Sequence, residues 1–165
     1  MDIQNSYRKI IEIMKNILEE IAARTRERIA KEKSRISVSE LENRIQEVNK
    51  NARQKITFLQ ALQKDGMSYI CEVKKASPSK GLIAPDFPYL AIAKEYEQAG
   101  ASAISCLTEP FYFQGADQYL REIAAAVQIP VLRKDFTVDE YMIYQAKAMG
   151  AAAVLLICSC LDEGQ

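Results

Sequence analysis

The fold is indicated by the stretch YICEVKKASPSKG, residues 69–81, which opens as a short apolar run of β-strand type and closes in a loop of serine, proline and glycine. On a strand, side chains two residues apart project to the same face. Glu72 and Lys74 are therefore expected to leave the strand end on one side, where a carboxylate and an ammonium can tune each other's protonation. The loop adds hydroxyls, a cation and an accessible backbone through Ser77, Ser79, Lys80 and Gly81. The stretch predicts a site for an anionic substrate, while a solvated turn would use the same residue types.

The overall composition is that of a globular protein without a strong charge bias. Of the 165 residues, 48% are hydrophobic and 27% are charged, and 22 Lys and Arg balance 22 Asp and Glu. A net charge of zero argues against bulk electrostatic binding to nucleic acid. No apolar run approaches the ~18–20 residues that a membrane span needs, and no secretory signal precedes the first helix. We therefore expect a cytoplasmic protein with neither a nucleic-acid nor a membrane partner.

The sequence contains no histidine, which narrows the chemistry available to it. Ser-His and Cys-His nucleophile pairs and His-ligated metals are excluded, so acid–base work would fall to Lys, Glu, Asp, Tyr or Cys. The four cysteines form no CxxC pair, and zinc or redox motifs are unsupported. We expect no metal site, and we expect buried, reduced thiols at Cys71, Cys106, Cys158 and Cys160.

The first 66 residues are predicted to be helical. Apolar residues recur at spacings of three and four, and capping boxes begin at Ser37 and Ser39. The pattern predicts helices over residues 2–33, 37–48 and 55–64. Residues 1–66 are therefore interpreted as an N-terminal helical extension that packs on the domain after it, with a coiled-coil or partner-binding role as the alternative.

After Gly66 strands and helices alternate, which implies a parallel sheet. Gly100 and Gly150 each follow a predicted helix, as a glycine at the C′ position does. The strands are apolar almost throughout, as expected for strands buried on both faces. The predicted strands cover residues 67–73, 102–107, 130–133 and 152–157, and the predicted helices cover residues 88–99, 117–127 and 139–149.

Periodicity alone leaves the architecture of this second part open. Four βα units fit the sequence, whereas a closed eight-fold barrel needs about 250 residues and eight such units. An open four-stranded sheet is the alternative, although no glycine-rich dinucleotide-binding loop follows any of the strands.

Polar residues gather where the predicted strands end. Glu72 and Lys74 follow the first strand, and Lys134 follows the third; Thr108, Glu109 and Asp135 lie at equivalent places. In a βα barrel these positions share the catalytic rim. Because Lys134 adjoins Arg133 and is flanked by apolar side chains, we expect partial burial and a neighbouring cation, both of which favour proton donation.

Aromatic residues accompany these polar positions in the sequence. An aromatic wall on the same rim is one interpretation, and ordinary core packing is an equally common one. The residues concerned are Phe111, Tyr112, Phe113 and Phe136.

Five sequence blocks make the interpretation specific. In order after Gly66 they are EVKKASPSKG at 72–81, SCLTE at 105–109, YFQG at 112–115, PVLRKDF at 130–136 and AVLLI at 153–157. Together they resemble the indole-3-glycerol phosphate synthase family, and the leading helices resemble that family's N-terminal extension more loosely. The resemblance implies an α/β TIM (β/α)8-barrel fold, of which residues 67–165 hold only the first four βα units.

The resemblance also implies an activity. The family closes the indole ring of 1-(2-carboxyphenylamino)-1-deoxyribulose 5-phosphate with loss of CO2 and water in tryptophan biosynthesis, as a carboxy-lyase without a metal or organic cofactor. By position, Lys134 resembles the general acid, Lys74 the mobile-loop lysine that assists dehydration, and Glu72 the carboxylate that positions both. Ser77 matches a contact to the substrate phosphate. The pocket for the anthranilate ring is matched by Phe113, Phe136 and Leu155.

The sequence departs from the family pattern after the fourth predicted strand. The family's later glutamate, asparagine and Glu-Ser-Gly segment have no counterpart, and the phosphate sites of such barrels are commonly built after strands seven and eight. The first and fourth strands would keep open edges. We therefore expect little or no activity from this chain alone, and self-association through the exposed half-barrel edges. The alternative to the family activity is a catalytically inactive half-barrel fragment that self-associates or needs a complementing C-terminal half.

Overall fold

The computed structural model describes residues 3–51, 56–162 and 164, with two long helices at its beginning. Helix α1 spans Ile3–Lys33 and helix α2 spans Val38–Asn51. Helix α2 begins where the sequence predicts, because the Ser37 hydroxyl accepts a hydrogen bond from the backbone N–H of Glu40 at 3.1 Å. It continues three residues past the predicted end.

The third helix is shorter than predicted. Helix α3 spans Phe58–Leu62 and begins after Thr57, while the predicted start at Lys55 lies outside the described residues. The Thr57 hydroxyl accepts from the Gln60 N–H at 3.1 Å, and the Gln60 side chain accepts from the Thr57 N–H at 2.9 Å. This capping box satisfies two backbone donors at the helix start.

Four parallel strands form the sheet that follows, as the alternating pattern predicts. The strands are β1 (Ile70–Val73), β4 (Ala103–Leu107), β5 (Val131–Lys134) and β6 (Ala153–Val154), and they pair in that order. The two remaining strands, β2 (Ala76–Ser77) and β3 (Gly81–Leu82), form a separate small sheet in the loop after β1. Helices connect them on one face: α4 (Tyr89–Gln98), α5 (Asp117–Ala126) and α6 (Tyr141–Ala148). A short 3-10 helix, Cys158–Cys160, comes after β6.

The predicted glycine ends of two helices are confirmed. Gly100 has φ +91 and Gly150 has φ +87, the left-handed region in which glycine carries no Cβ penalty. The Gly150 N–H donates to the Lys147 carbonyl at 2.9 Å, and the Ala151 N–H donates to the Ala146 carbonyl at 3.0 Å. These two bonds are those of a Schellman motif, which satisfies the last carbonyls of α6 before the chain enters β6.

The structure corrects the strand predictions in their extent and burial. The first strand begins only at Ile70, and the fourth covers Ala153–Val154 instead of residues 152–157. The loop after β1 contains a small antiparallel pair that the sequence did not predict, β2 (Ala76–Ser77) and β3 (Gly81–Leu82). Burial on both faces holds for β4, whose five residues are all buried. It is wrong for β5, where buried and half-buried residues alternate, and for β1, where Ile70 is 47% exposed. Ile70 is exposed because β1, like β6, is an outer strand of the described sheet.

Two apolar clusters hold these layers together. The first fills the space between the sheet and α4–α6, and its strand members include Val73, Ile104 and Val131. The second joins α1 and α2 to α6 and to the loop after β5, with Ile21, Leu41, Phe136, Val138, Tyr141 and Met142 among its members. The expectation that the N-terminal helices pack on the later part of the chain is therefore confirmed for α1 and α2.

Among the helices that the structure describes, none is both long enough and apolar enough to cross a membrane.

Candidate active site

A carboxylate between two ammonium groups occupies the open face of the sheet. The Lys74 ammonium donates to Glu72 Oε1 at 2.5 Å, and the Lys134 ammonium donates to Glu72 Oε2 at 2.7 Å. Lys74 follows Glu72 by two residues and projects to the same side, as the strand pattern predicts. Lys134 reaches Glu72 across β4, where the residue opposite Glu72 is the small Ser105.

The electrostatics of this cluster favour an ionised Glu72. Partial burial disfavours the charged carboxylate, but the hydrogen bonds from Lys134 and Lys74 outweigh it, so the pKa of Glu72 lies below its ordinary value. About a third of each side chain is exposed: 28% for Glu72, 32% for Lys74 and 36% for Lys134. The three groups can therefore meet a ligand from solvent while holding one another in place.

Ser77 lies in the β2–β3 hairpin, just beyond this cluster. Its hydroxyl accepts from the Lys80 backbone N–H at 3.2 Å and lies 3.4 Å from the Ser79 hydroxyl. Gly81 closes the turn with φ +62. The loop thus presents two hydroxyls and the exposed Lys80 side chain together, which is suitable chemistry for an anion.

A buried glutamate organises the loop that carries the aromatic residues. Glu109 has no exposed surface, and its carboxylate accepts from the backbone N–H groups of Phe111, Tyr112 and Phe113 at 2.7–3.0 Å. The sequence predicted Glu109 on the catalytic rim, whereas its carboxylate is buried and bonded to backbone N–H groups inside the loop.

The same loop folds back tightly onto β4. A Cβ at Gly115 would lie 2.6 Å from the Leu107 carbonyl oxygen, so only glycine fits there. The preceding residue, Gln114, has φ 50, which is uncommon for a residue with a side chain. The close approach fixes the path of the chain directly after Phe113.

Two of the three predicted pocket residues lie together. The rings of Phe113 and Phe136 have centroids 6.5 Å apart and are tilted by 39°. Phe136 is only 7% exposed, because the cluster beneath α1 covers most of it. Leu155 is half-buried and directly follows β6, the strand that pairs with β5. The aromatic wall and the core-packing interpretations therefore both apply to Phe136.

The N-terminal helix also contacts this aromatic loop. The Arg24 guanidinium lies 5.7 Å from the ring centroid of Phe111 and 5.5 Å from that of Tyr112, within cation–π range.

A cavity of about 520 Å³ lies elsewhere, between α1 and α2 on one side and α5 and α6 on the other, and includes none of the predicted site residues. The candidate site is the charged cluster on the open face of the sheet.

A comparison with protein families places this geometry in context. The family model described as indole-3-glycerol phosphate synthase matches residues 18–165. The chain belongs to this family. The family folds as a TIM (β/α)8 barrel, and the described parallel sheet with its helices is a partial barrel.

Individual indole-3-glycerol phosphate synthases support the assignment. The chain is 52% identical over 147 residues to the one from Ruminiclostridium cellulolyticum, covering 88% of this chain and 55% of the relative. It is 52% identical over 149 residues to the one from Lacticaseibacillus paracasei, covering 90% and 56%. A third, from Neisseria gonorrhoeae, is 59% identical over 96 residues, covering 58% and 37%. The chain thus spans about half the length of the curated synthases it matches.

One expectation about Lys134 is wrong. Arg133 was expected to act as a neighbouring cation, but adjacent strand residues point to opposite faces. The Arg133 guanidinium is fully buried on the helix side, where it contacts Asp117 at 3.2 Å and Asp135 at 3.3 Å. The charged neighbour of Lys134 is instead the carboxylate of Glu72.

Sequence reasoning also missed a charged residue on helix α1. Arg28 on α1 forms an ion pair with Asp135 at 2.9 Å. A signal was available, because Arg28 follows the buried Ile21 by seven residues and Thr25 by three, which places all three on one helix face. An arginine on the apolar face of a helix indicates a buried partner.

No group of three or more His, Cys, Asp or Glu side chains within the described ranges is arranged to hold a metal ion.

Proposed function

We propose that this chain provides the acid–base part of an indole-3-glycerol phosphate synthase site in tryptophan biosynthesis. The reaction closes the indole ring of 1-(2-carboxyphenylamino)-1-deoxyribulose 5-phosphate with loss of CO2 and water, without a metal or organic cofactor. The observation that supports it is the Glu72 carboxylate held between Lys74 and Lys134 at 2.5 and 2.7 Å. Membership of the synthase family supplies the reaction class.

In this proposal Lys134 is the general acid. As the ring carbon that bears the carboxylate attacks the substrate carbonyl carbon, the Lys134 ammonium gives its proton to the carbonyl oxygen, which becomes a hydroxyl. The ring then loses CO2, and the electrons of the broken bond restore its aromaticity. Lys74 assists the last step, in which the hydroxyl leaves as water with a proton from the adjacent carbon. Glu72 orients both lysines and balances their charge.

The remaining predicted residues are proposed to bind the substrate. Ser77 would contact the phosphate from the hairpin beside the cluster, and Phe113, Phe136 and Leu155 would receive the anthranilate ring. The proximity of the Phe113 and Phe136 rings supports the second assignment. The exposed hydroxyl and cation of the hairpin support the first.

We propose that residues 1–66 are the helical extension and residues 67–165 the first four βα units of the barrel. The parallel order β1-β4-β5-β6 supports this division. In the described residues β1 pairs only with β4 and β6 only with β5, so both outer edges are open. A site built from these units alone lacks the facing half of a barrel, and little or no turnover is expected from it.

A chimera tests this function. The chain would replace its matched region in the Ruminiclostridium cellulolyticum synthase, which shares 52% identity. Formation of indole-3-glycerol phosphate is then followed for the chimera and for the 165-residue chain. We expect turnover from the chimera only. A chimera that folds but forms no product would refute the proposed reaction, and a fully active isolated chain would refute its dependence on further strands.

A second proposal concerns self-association, which the exposed apolar residues of the first strand region favour. Met67 is 77% exposed, Tyr69 60% and Ile70 47%, next to the open edge of β1. Unpaired strand edges with apolar side chains recruit other strands. We expect the chain alone to form a non-catalytic dimer or larger assembly. Analytical ultracentrifugation checks this, and a monomer at micromolar concentration would contradict it.

We further propose that the protein acts in the cytoplasm. All four cysteines are free thiols, which suits a reducing compartment. Cell fractionation with an antibody to the chain would test this, and recovery in an extracellular fraction would contradict it.

A further inference from the structure

A buried carboxylate directly after Lys134 binds donors from separate parts of the sheet. The side chain of Asp135 has no exposed surface. Its Oδ1 accepts from the Phe136 N–H at 2.8 Å. Its Oδ2 accepts from the Thr108 hydroxyl at 2.8 Å and from Arg133 at 3.3 Å. Asp135 therefore joins the ends of β4 and β5 and fixes the backbone on the C-terminal side of Lys134.

The residue before Lys134 is fixed by the same network. Arg133 is fully buried, and its Nε donates to the Thr108 hydroxyl at 3.1 Å. Its other nitrogens reach the Met142 carbonyl on α6 at 3.2 Å and Asp117 at the start of α5 at 3.2 Å. Lys134 thus lies between two anchored neighbours, and its own side chain projects to the opposite face, toward Glu72.

Arg28 completes the network from the N-terminal helix α1. Its Nη2 donates to both oxygens of Asp135, at 3.1 Å and 2.9 Å, across 107 residues of sequence. The Arg28 side chain is only 13% exposed. Burial disfavours its charge, but the Asp135 carboxylate more than compensates, and the pKa of Arg28 is raised.

The buried charged side chains around Asp135 balance one another, so the loss of one of them would force the others to rearrange. Arg28 and Arg133 are opposed by Asp135 and Asp117, with Glu32 at 4.0 Å from Arg28. Removing one partner of a buried ion pair leaves an uncompensated charge, and the remaining groups shift or admit water to solvate it. The segment that would move is residues 133–136, which contains Lys134.

We propose that Arg28 is a positioning residue: through Asp135, helix α1 holds residues 133–136 so that Lys134 reaches Glu72 and Phe136 lies beside Phe113. The role of Lys134 as an acid rests on the function proposed above, but the dependence of the Lys134–Glu72 contact on Arg28 does not. The N-terminal helix is then part of the machinery of the site. A misplacement of about 1 Å can cost roughly 100-fold in rate.

The test is the titration of the Glu72 side-chain carboxyl, followed by NMR in the 165-residue chain. The hydrogen bonds from Lys134 and Lys74 outweigh partial burial and hold the pKa of the Glu72 carboxyl below its ordinary value. In Arg28→Met the Glu72 midpoint should move up toward the ordinary value, and in Arg28→Lys it should move in the same direction by less. The matched control is Arg44→Met, which removes a surface arginine paired with Glu40 and should leave the midpoint unchanged.

A merely structural role gives a different result. It would lower the unfolding temperature of the Arg28 variants but leave the Glu72 midpoint of the folded chain at its wild-type value, and that outcome would overturn the proposal. Where Arg28→Met does not fold, Arg28→Lys, which keeps the charge, decides the question alone.

Turnover in the chimera separates this inference from the proposed function. We expect Arg28→Met to lower kcat about 10- to 100-fold with a smaller change in KM. A shifted Glu72 midpoint with no turnover in any version supports the positioning role and refutes the function. Turnover with an unshifted midpoint in Arg28→Lys and Arg28→Met refutes the positioning role.

Discussion

The Glu72 carboxylate and the Lys134 ammonium lie 2.7 Å apart although 62 residues separate them in the sequence. They meet because β4 pairs in parallel with both β1 and β5, so that the ends of the three strands share one edge. Lys74 contacts the other oxygen of the same carboxylate. The proposed ring closure depends on this shared carboxylate.

Glu72→Gln should lower stability in a pH-dependent way. The pKa of Glu72 is depressed from about 4.5, so its ion pairs stabilise the fold fully above that pH and lose their effect as the pH falls through the lowered pKa. Charge-assisted hydrogen bonds are worth about 1.5–3 kcal/mol, and partial exposure reduces this to about 1 kcal/mol at pH 7. Urea unfolding of the wild type and the variant from pH 7 down to pH 3 measures this difference in the free energy of unfolding.

The stability curves of the wild type and the Glu72→Gln variant should converge in acid. Glu40→Gln is the matched control, since Glu40 pairs with Arg44 on an exposed helix surface. A Glu72→Gln chain as stable as the wild type at pH 7 would show that the contact contributes nothing.

Gly115→Ala should destabilise the fold by about 2–3 kcal/mol, because the added methyl would lie 2.6 Å from a backbone carbonyl that cannot move freely. Gly164→Ala is the control, since its Cβ would meet nothing within 4 Å. Thermal or urea unfolding of the two variants measures the difference. Equal stability of the two variants would mean that the loop after β4 does not pack this closely.

Glu109→Gln should loosen the aromatic loop. The buried carboxylate accepts three backbone N–H groups, and the amide replaces one acceptor oxygen with a donor. Leaving a buried N–H without a partner costs about 1–3 kcal/mol. Hydrogen exchange at the Phe113 amide should become faster, and an unchanged exchange rate there would contradict the organising role of Glu109.

The cysteines should differ sharply in reactivity. Burial raises the pKa of the Cys106 thiol to about 12, whereas Cys158 is exposed. At pH 8 a thiol reagent should label Cys158 quickly and Cys106 only on unfolding. Mass spectrometry of the labelled peptides, with Cys158→Ser as the control, checks this. Rapid labelling of Cys106 would mean that the core around β4 opens readily.

Local patterns in the sequence predict much of this structure. The two-residue spacing of Glu72 and Lys74 places them on one face, and Gly100 and Gly150 end helices as their positions indicate. The same alternation rule could have placed Arg133 opposite to Lys134. Its burial was missed because neighbours in sequence were taken as neighbours in space.

Long-range contacts are what the sequence does not reveal. The Arg28–Asp135 pair joins residues 107 positions apart; local spacing places Arg28 on the apolar face of α1 but does not identify Asp135 as its partner. The shortness of β6 depends on which strands stand beside it, since pairing sets the extent of an outer strand. The β2–β3 hairpin depends on backbone pairing, and the serine, proline and glycine residues of this loop predict a turn but not the paired strands.

The most direct test of the site is Lys134→Met in the active chimera, compared with Lys147→Met on the exposed side of α6. Steady-state formation of indole-3-glycerol phosphate is measured for both, with circular dichroism to confirm that each variant is folded. General acid catalysis contributes about 100- to 10,000-fold, so kcat for Lys134→Met should fall by at least about 100-fold while Lys147→Met keeps the parent rate. A folded Lys134→Met chimera that turns over at the parent rate would contradict the assignment of Lys134 as the acid.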